Sequence, residues 1–572
     1  MDIKNTPLSR YGSYMALKYQ QNKESYKNGL YVNSSRGKAR KHMNAMKIIP
    51  MVKGEPVAYK YQADEFQISL YFSGGELHIC FENENQILVK GVGKETGLCL
   101  DTQPVYNFEY NYLLGGQGQE YCIVNSYKNL TKYLIFSPQG SVSLQQNVFI
   151  DTTGSTNEAD NLSTIHITPE KDADEFLCVI EDIPTHGAVP EDREYDFNRA
   201  LEKTKNQFQE FLSKHPVVPE NYQQTLADAA YLNWSCIVRP EGLLHREAMY
   251  MSNNNFPGVW SWDNAFNALA LAGVDTKLAW DQIAVLFDHQ DEQGQIPGSV
   301  SDSSIRWNFA KPPVHGLFIL KMMEKMTLSP SQLETIYTQI EKQVQFYFHY
   351  KDSNRDEICE YHHGNDSGQD NSTVFKHTDI IDSPDLTAFL IKSIDMLAVI
   401  AGKLDKQEEK SYWEEEAKRL TQVFCDYFLV NDFPVARYTR NGEAIESKSI
   451  LPLMSIILAD KLPEKARNNI IDVIGSDRYL TEWGIASEAL DSPDYEEDAY
   501  WRGPIWAPTT LLFIEALEEC GEKELAAEVT KKFLELVKHN GFAENFHAET
   551  GEGLRDKAHT WTSSVFIHLA SK

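Results

Sequence analysis

Near residue 195 the apolar periodicity of this 572-residue chain changes from two to about 3.6, and that change limits what the polypeptide can build. Before it, "FQISLYFSGGELHICFENENQILVKG" alternates Phe66, Ile68, Leu70 and Phe72, reaches Gly74-Gly75, and resumes with Leu77, Ile79 and Phe81. Alternation around a glycine pair predicts a β-hairpin with one buried face. "YLIFSPQGSVSLQQNVFI" and "DEFLCVIEDIP" read the same way. "EDREYDFNRALEKTKNQFQEFLSKHP" then opens a helical connector.

From about residue 220 nearly every stretch is helix-forming. Start and stop signals place segments near 221–239, 263–273, 276–290, 312–327, 330–350, 385–404, 407–428, 448–460, 463–474, 504–520, 523–540 and 558–571. Trp413, Ala417, Leu420, Phe424 and Phe428, for example, form one helical stripe. Twelve such segments in about 350 residues predict an (α/α)6 barrel of six inner and six outer helices. The expected organisation is a β-rich, sandwich-like domain with a basic arm over 1–190, a helical linker over 191–219 and the catalytic barrel over 220–572.

Charge excludes some partners. The net charge is −29, although residues 1–60 hold 12 Lys and Arg against 3 Asp and Glu. Nucleic acid and anionic membrane both require clustered cations, so neither is an expected partner. The basic arm is expected to dock on the acidic body or on a second subunit, which leaves a homo-oligomer open. Some of its cations could instead meet an anionic part of a substrate. Eight dispersed cysteines, with no metal-type spacing, fit buried thiols in a reducing compartment. With no apolar leader or membrane-length run, the expected location is cytoplasmic.

Five segments look wrong for surface loops: "FPGVWSWDNAF", "QDEQGQIPGSVSDSSIRWNFAKPPVHG", "GNDSGQDNS", "YWRGPIWAPTT" and "GFAENFHAETGEGLRDKAHTWTSS". Each lies between an odd-numbered helix and the even-numbered helix after it. In an up-down ring those connections all emerge at one end, so the five motifs converge on one mouth.

They bring carboxylates among tryptophans. Indole faces suit the C–H faces of sugars, and hydroxyls need directed acceptors such as Asp263. Glycosidic cleavage needs one carboxylic acid on the leaving oxygen and a second carboxylate across the ring. Asp370 and Glu544 come from opposite parts of the expected ring, and aromatic walls such as Trp260 or Trp506 would desolvate an acid. Plainer readings stand beside these. Asp263 also suits a first helical turn, "WRGPIWAP" also suits a rigid helix start, and Asp366 suits a supporting hydrogen-bonder. His362-His363 lacks a third ligand in register and reads as structural. Glu549 and Glu552 read as solvated.

The segments "SWDNAF", "DSGQDNS", "YWRGPIWAP" and "AENFHAETGEG…TWTSS" resemble those of glycoside hydrolase family 63, which includes mannosylglycerate and glucosylglycerate hydrolases and processing α-glucosidases, with trehalases more distant. The resemblance spans roughly residues 220–572. It implies that Asp370 is the general acid and Glu544 the general base of an inverting reaction, with the two carboxyl groups about 6.5–9.5 Å apart. It implies that Trp262 and Asp263 bind the non-reducing sugar and that Trp506 forms a stacking wall. Trp260, Lys311, Gly368 and Trp561, within the five loop segments, complete the expected substrate-binding set. Two positions depart from the family pattern: Lys311 stands where many members carry glutamine, and Asp366 where glutamate is common.

The sequence reading is therefore an inverting exo-acting α-glycosidase, of α-glucosidase type, for a small α-linked glucoside or disaccharide, with no metal or organic cofactor required. An inverting phosphorylase is the first rival, disfavoured because Glu544 would repel phosphate. A non-catalytic carbohydrate-binding protein is the second.

Overall fold

The computed structural model describes residues 1–21, 27–36, 43–106, 109–116, 119–147, 162–183 and 189–572. The first part is two antiparallel sheets. One runs, in spatial order, through Leu8–Ser9, Met15–Gln20, Gly29–Ser34, Asn44–Val52, Thr96–Asp101, Leu162–Thr168 and Ser141–Asn147, with Glu55–Pro56 on Asn44–Val52. The other runs through Tyr112–Gly116, Gln119–Ser126, Thr131–Gln139, Glu175–Asp182, Gln86–Val92, Gly75–Asn83, Gln67–Phe72 and Tyr59–Ala63. Leu30, Ile48, Leu98 and Ile165 from the first meet Ile68, Ile79, Val89 and Ile180 from the second in one core.

The hairpin at residue 74 forms as the alternation requires, with Ile68 opposite Ile79 and Leu70 opposite Leu77. Its turn lies one residue earlier than the glycine pair suggests. Phe72 pairs with Gly75, and Gly74 takes φ +105°, a conformation that suits glycine.

The basic segment is no arm in its described parts. Five of its stretches are strands of the first sheet. Arg36, two residues past the end of the strand Gly29–Ser34, is buried against Asp182 of the β-region (2.7 Å) and Glu241 of the helical region (2.8 Å). Lys23, Lys38, Arg40 and Lys41 lie outside the described residues.

Helix α1 (Phe197–Ser213), capped by the Asp196 carboxylate, covers the outer face of the second sheet through Phe197 and Ala200. The helical region follows as α2 (Gln223–Cys236), α3 (Asp263–Leu271), α4 (Thr276–Phe287), α5 (His315–Lys325), α6 (Pro330–Tyr350), α7 (Pro384–Lys403), α8 (Gln407–Phe428), α9 (Glu464–Ile474), α10 (Ala507–Glu519), α11 (Lys523–Asn540) and α12 (Thr560–Ala570). Between α8 and α9, where a further α-helix is expected near 448–460, the chain instead forms a 3₁₀ run, Pro452–Lys461. This run is buried through Ala459 and so has no solvent face to favour a regular amphipathic helix. It ends in a kink at Ala459 (φ +46°) shortly before Pro463, and a proline disfavours helical backbone at the residue preceding it.

α3, α5, α7, the 3₁₀ run, α10 and α12 touch one another in a closed cycle, and α4, α6, α8, α9 and α11 each lie against a member of it. Burial agrees with these positions. Every residue of α3 and α12 is buried, whereas α8 buries only the stripe Trp413, Ala417, Leu420, Phe424 and Phe428. All eight cysteines carry free thiols. Among the described residues no helix is long and apolar enough to cross a membrane.

Candidate active site

The loops entering α3, α5, α7, α10 and α12 meet around a small group of carboxylates. Asp263 is the first residue of α3, so the plain first-turn reading holds for its position. Its side chain is nonetheless buried, and burial pushes its carboxyl up to about 7. Lys311 works against that shift, while the charges of Asp370 and Glu544 reinforce it. Three acidic groups distant in sequence are thus close enough to act on one another.

Lys311, also buried, precedes Pro312-Pro313 in the loop leading to α5. Its Nζ donates to Asp370 Oδ1 at 3.0 Å and lies 5.9 Å from the centre of the Trp260 ring. Trp260 also carries the Arg306 guanidinium over its face at 5.1 Å. Asp366 is buried and accepts from Ala310 N (3.2 Å), His362 N (3.2 Å) and Lys351 Nζ (3.3 Å). It therefore fixes the backbone beside Lys311, a supporting arrangement. His362 is paired with Glu360 at 3.0 Å. Among the described residues no group of three His, Cys, Asp or Glu side chains could hold a metal ion.

Glu544 is held at both oxygens. Tyr500 Oη donates to Oε1 at 3.0 Å, and Asp556 N lies 3.4 Å from Oε2. Asp556 in turn accepts from Asn254 Nδ2 (3.1 Å) and Asn255 N (2.9 Å), tying the loop before α3 to the loop before α12. Burial raises the Tyr500 hydroxyl well above its ordinary value, and Glu544, Asp370 and Asp263 add to that. Tyr500 therefore remains a donor. Its backbone takes φ +65°, a costly conformation for a residue with a side chain. Asn371, next to Asp370, clamps both flanks of it: Nδ2 donates to Ala499 O (2.8 Å) and Oδ1 accepts from Trp501 N (2.9 Å). One amide thus joins the Asp370 segment to the residue that holds Glu544.

Four tryptophans form the aromatic side. Trp262 lies 6.0 Å from Trp501 and edge-on to Trp561 at 6.1 Å. Gly368 (φ +75°) presses on Trp262, where an added Cβ would come within 2.6 Å of the indole. Its need to be glycine is thus explained by packing. Trp561 donates its indole N–H to Glu544 O at 3.1 Å.

Trp506 differs from expectation. It is fully buried, with Trp501 stacked on its face at 3.8 Å and 5°. Its N–H is satisfied by the Tyr500 carbonyl at 3.0 Å. The ring backs the aromatic wall and is not its surface. Tyr500, Trp501, Asn371 and Asp556 were not singled out from sequence. The first two sit inside the motif "YWRGPIWAP", but neither the positive φ nor the clamp has a sequence signature.

Comparison with known proteins places the chain among glycoside hydrolases. A family model described as the mannosylglycerate hydrolase MGH1-like glycoside hydrolase domain matches residues 256–562. Mannosylglycerate hydrolase MGH1 of Selaginella moellendorffii is 21% identical over 396 residues, which cover 54% of this chain and 80% of that protein. The GH63 mannosylglycerate hydrolase from Thermus thermophilus, solved in complex with glucose, superposes with a TM-score of 0.52 at 19% identity over 60% of this chain and 99% of that one. A bacterial glucoamylase complexed with acarbose covers 100% of this chain and 94% of its own, with a TM-score of 0.62 at 11% identity. That likeness includes the β-region.

Proposed function

Because this chain belongs to the mannosylglycerate hydrolase MGH1-like family of glycoside hydrolases, within family 63, we propose that it is an inverting exo-acting α-glycosidase in which Asp370 is the general acid and Glu544 the general base. We read the closed cycle of helices as an (α/α)6 barrel over 220–572, with 1–190 as its β-domain and 191–219 as the linker. The five motif loops then share one mouth.

In the reaction, the bond from C1 to the leaving oxygen breaks as a bond from C1 to a water oxygen forms. Asp370 gives its proton to the departing oxygen, and Glu544 takes one from the water. Tyr500 and the Asp556 amide hold Glu544 in place, leaving its basic oxygens oriented when water arrives. Asp263, Trp262 and Trp561 hold the sugar. Glucose is the proposed sugar, in keeping with the glucose and acarbose carried by the solved relatives. Eight free thiols suit the proposed cytoplasmic location.

The observation that carries this reading is the convergence of Asp370, held by Lys311 at 3.0 Å, and Glu544, held by Tyr500 at 3.0 Å, through the Asn371 clamp and beside the aromatic wall. Proton NMR of the sugar first released from an α-glycoside provides the test. The β-anomer is expected, and an initial α-anomer contradicts inversion.

A further inference from the structure

Asp370 stands between the Lys311 ion pair and an open cleft. On one side lie Lys311, Asp263 and the tryptophans. On the other opens a cleft of about 510 Å³, whose lining includes Asp370, Asn371, Thr378, Phe375, Lys376 and Arg502. The volume falls within the roughly 300–1,000 Å³ of small-molecule sites. A three-carbon acid would leave most of it empty.

The charges around the cleft are already matched. Lys376 Nζ lies 2.6 and 2.9 Å from the two oxygens of Asp494. Arg502 is paired with Glu496, and His362 with Glu360 at 3.0 Å. Lys311, on the inner side, is 3.0 Å from Asp370. The His363 ring lies 5.5 Å from Phe309, and its Nδ1 accepts from Asn365 N.

An incoming carboxylate would have to break one of these pairs, and would then face both Asp370 and Asp379 across the cleft. Recognition of a carboxylate calls for an uncommitted cation, best a bidentate one. The cleft offers a different set of groups. Phe375 presents a half-buried ring, and the uncharged polar residues Asn371 and Thr378 are on the lining. An apolar face with scattered neutral donors and acceptors suits a pyranose.

A general acid stands between the ring it cleaves and the group it releases. Resting on the glycosidase reading above, we infer that this cleft receives the leaving group and that the leaving group is a second neutral sugar. The substrate is then an α-linked disaccharide or longer saccharide, and not a glycoside of a small acid such as glycerate.

The test is a comparison of kcat/KM on the native protein. The panel holds α-linked glucose and mannose disaccharides, α-glucosylglycerate and α-mannosylglycerate, and α-glucosyl and α-mannosyl fluorides. The fluorides carry the first sugar but no second group. Turnover of a fluoride is expected, together with a disaccharide preferred over both glycerates by about tenfold or more, the scale of one pocket contact. A glycerate cleaved as well as or better than every disaccharide overturns the inference. So does turnover of a fluoride without any disaccharide. Loss of all turnover, fluorides included, removes the glycosidase reading itself and this inference with it. Phe375→Ala gives a second readout: its loss on the preferred disaccharide should exceed its loss on the fluoride by about tenfold. Equal losses would place the second sugar elsewhere.

Discussion

Two buried charge clusters in the helical region are built in opposite ways. At the candidate site one cation, Lys311, faces Asp370 and Asp263, with Glu544 adding a third negative group. Where α5, α10 and α12 meet, Glu515 is instead surrounded by Lys321 Nζ (2.8 Å), His568 Nε2 (2.9 Å) and Lys572 Nζ (2.5 Å), with Glu519 also on Lys321 at 3.1 Å. Burial disfavours both Asp263 and Glu515 as carboxylates. At Glu515 the His568 hydrogen bond and the Lys321 and Lys572 charges overcome it and hold that carboxyl far below its ordinary range, whereas Asp263 is left at about 7. A neutralised buried charge ties elements together. An under-neutralised one is carried at a cost in stability, which is the expected mark of a site kept for chemistry.

The largest effects should come from breaking each cluster in turn. Glu544→Gln is expected to lower kcat by about 10²- to 10⁴-fold while thermal unfolding stays level or moves upward. Glu515→Gln should do the reverse, costing about 3–5 kcal/mol of stability and leaving turnover per folded molecule close to native. Kinetics and thermal melts on both proteins decide the matter. If both variants lost activity and stability together, the division between the clusters would fail.

The pH dependence of stability sharpens the contrast. Asp263 has a folded value near 7 against an unfolded value near 4, so between those pH values the native state holds a proton that the unfolded chain has lost. Stability from this group is therefore present at low pH and declines as pH rises through 7, by up to about 4 kcal/mol. Glu515 has the opposite sign, since its folded value is lowered: its contribution is full above pH ~5 and is lost as pH falls below its unfolded value. Asp263→Asn should flatten the first slope. Denaturant unfolding at pH 5 and pH 8 measures it, and an unchanged difference would mean that Asp263 is charged in the native protein throughout.

The smallest expected effect is that of Tyr500→Phe. Loss of one hydrogen bond to the Glu544 carboxylate should lower kcat by roughly tenfold with little change in KM. A change confined to KM would make Tyr500 a substrate contact and not a support for Glu544.

Much of this architecture was legible in the chain because it rests on local patterns. Period-two alternation marked the Ile68–Ile79 hairpin, and stripes such as Trp413 to Phe428 marked the helices packed outside the closed cycle. The 3₁₀ run at Pro452–Lys461 was not legible, since a segment buried on all sides has no amphipathic period to reveal its geometry. Neither was the sheet role of residues 1–60, where scattered cations obscured strands whose pairing partners lie as far away as residue 101. At the site, the acidic and aromatic residues stood out by type. Their supports did not: the Asn371 clamp, the Asp556 tie and the left-handed Tyr500 are tertiary facts with no periodicity. Trp506 illustrates the converse, a tryptophan conspicuous in its motif whose face is covered by its neighbour Trp501.

The central claim is a division of labour between Asp370 and Glu544, and leaving-group dependence tests it directly. Asp370→Asn and Glu544→Gln should be compared on an α-linked disaccharide, whose departing oxygen needs a proton, and on the matching glycosyl fluoride, which leaves without full proton transfer. Loss of the acid is expected to lower disaccharide turnover by about 10²-fold or more and fluoride turnover far less, while loss of the base lowers both to a similar extent. Equal losses on both substrates for Asp370→Asn, or full disaccharide activity in that variant, would contradict the assignment and move the acid elsewhere.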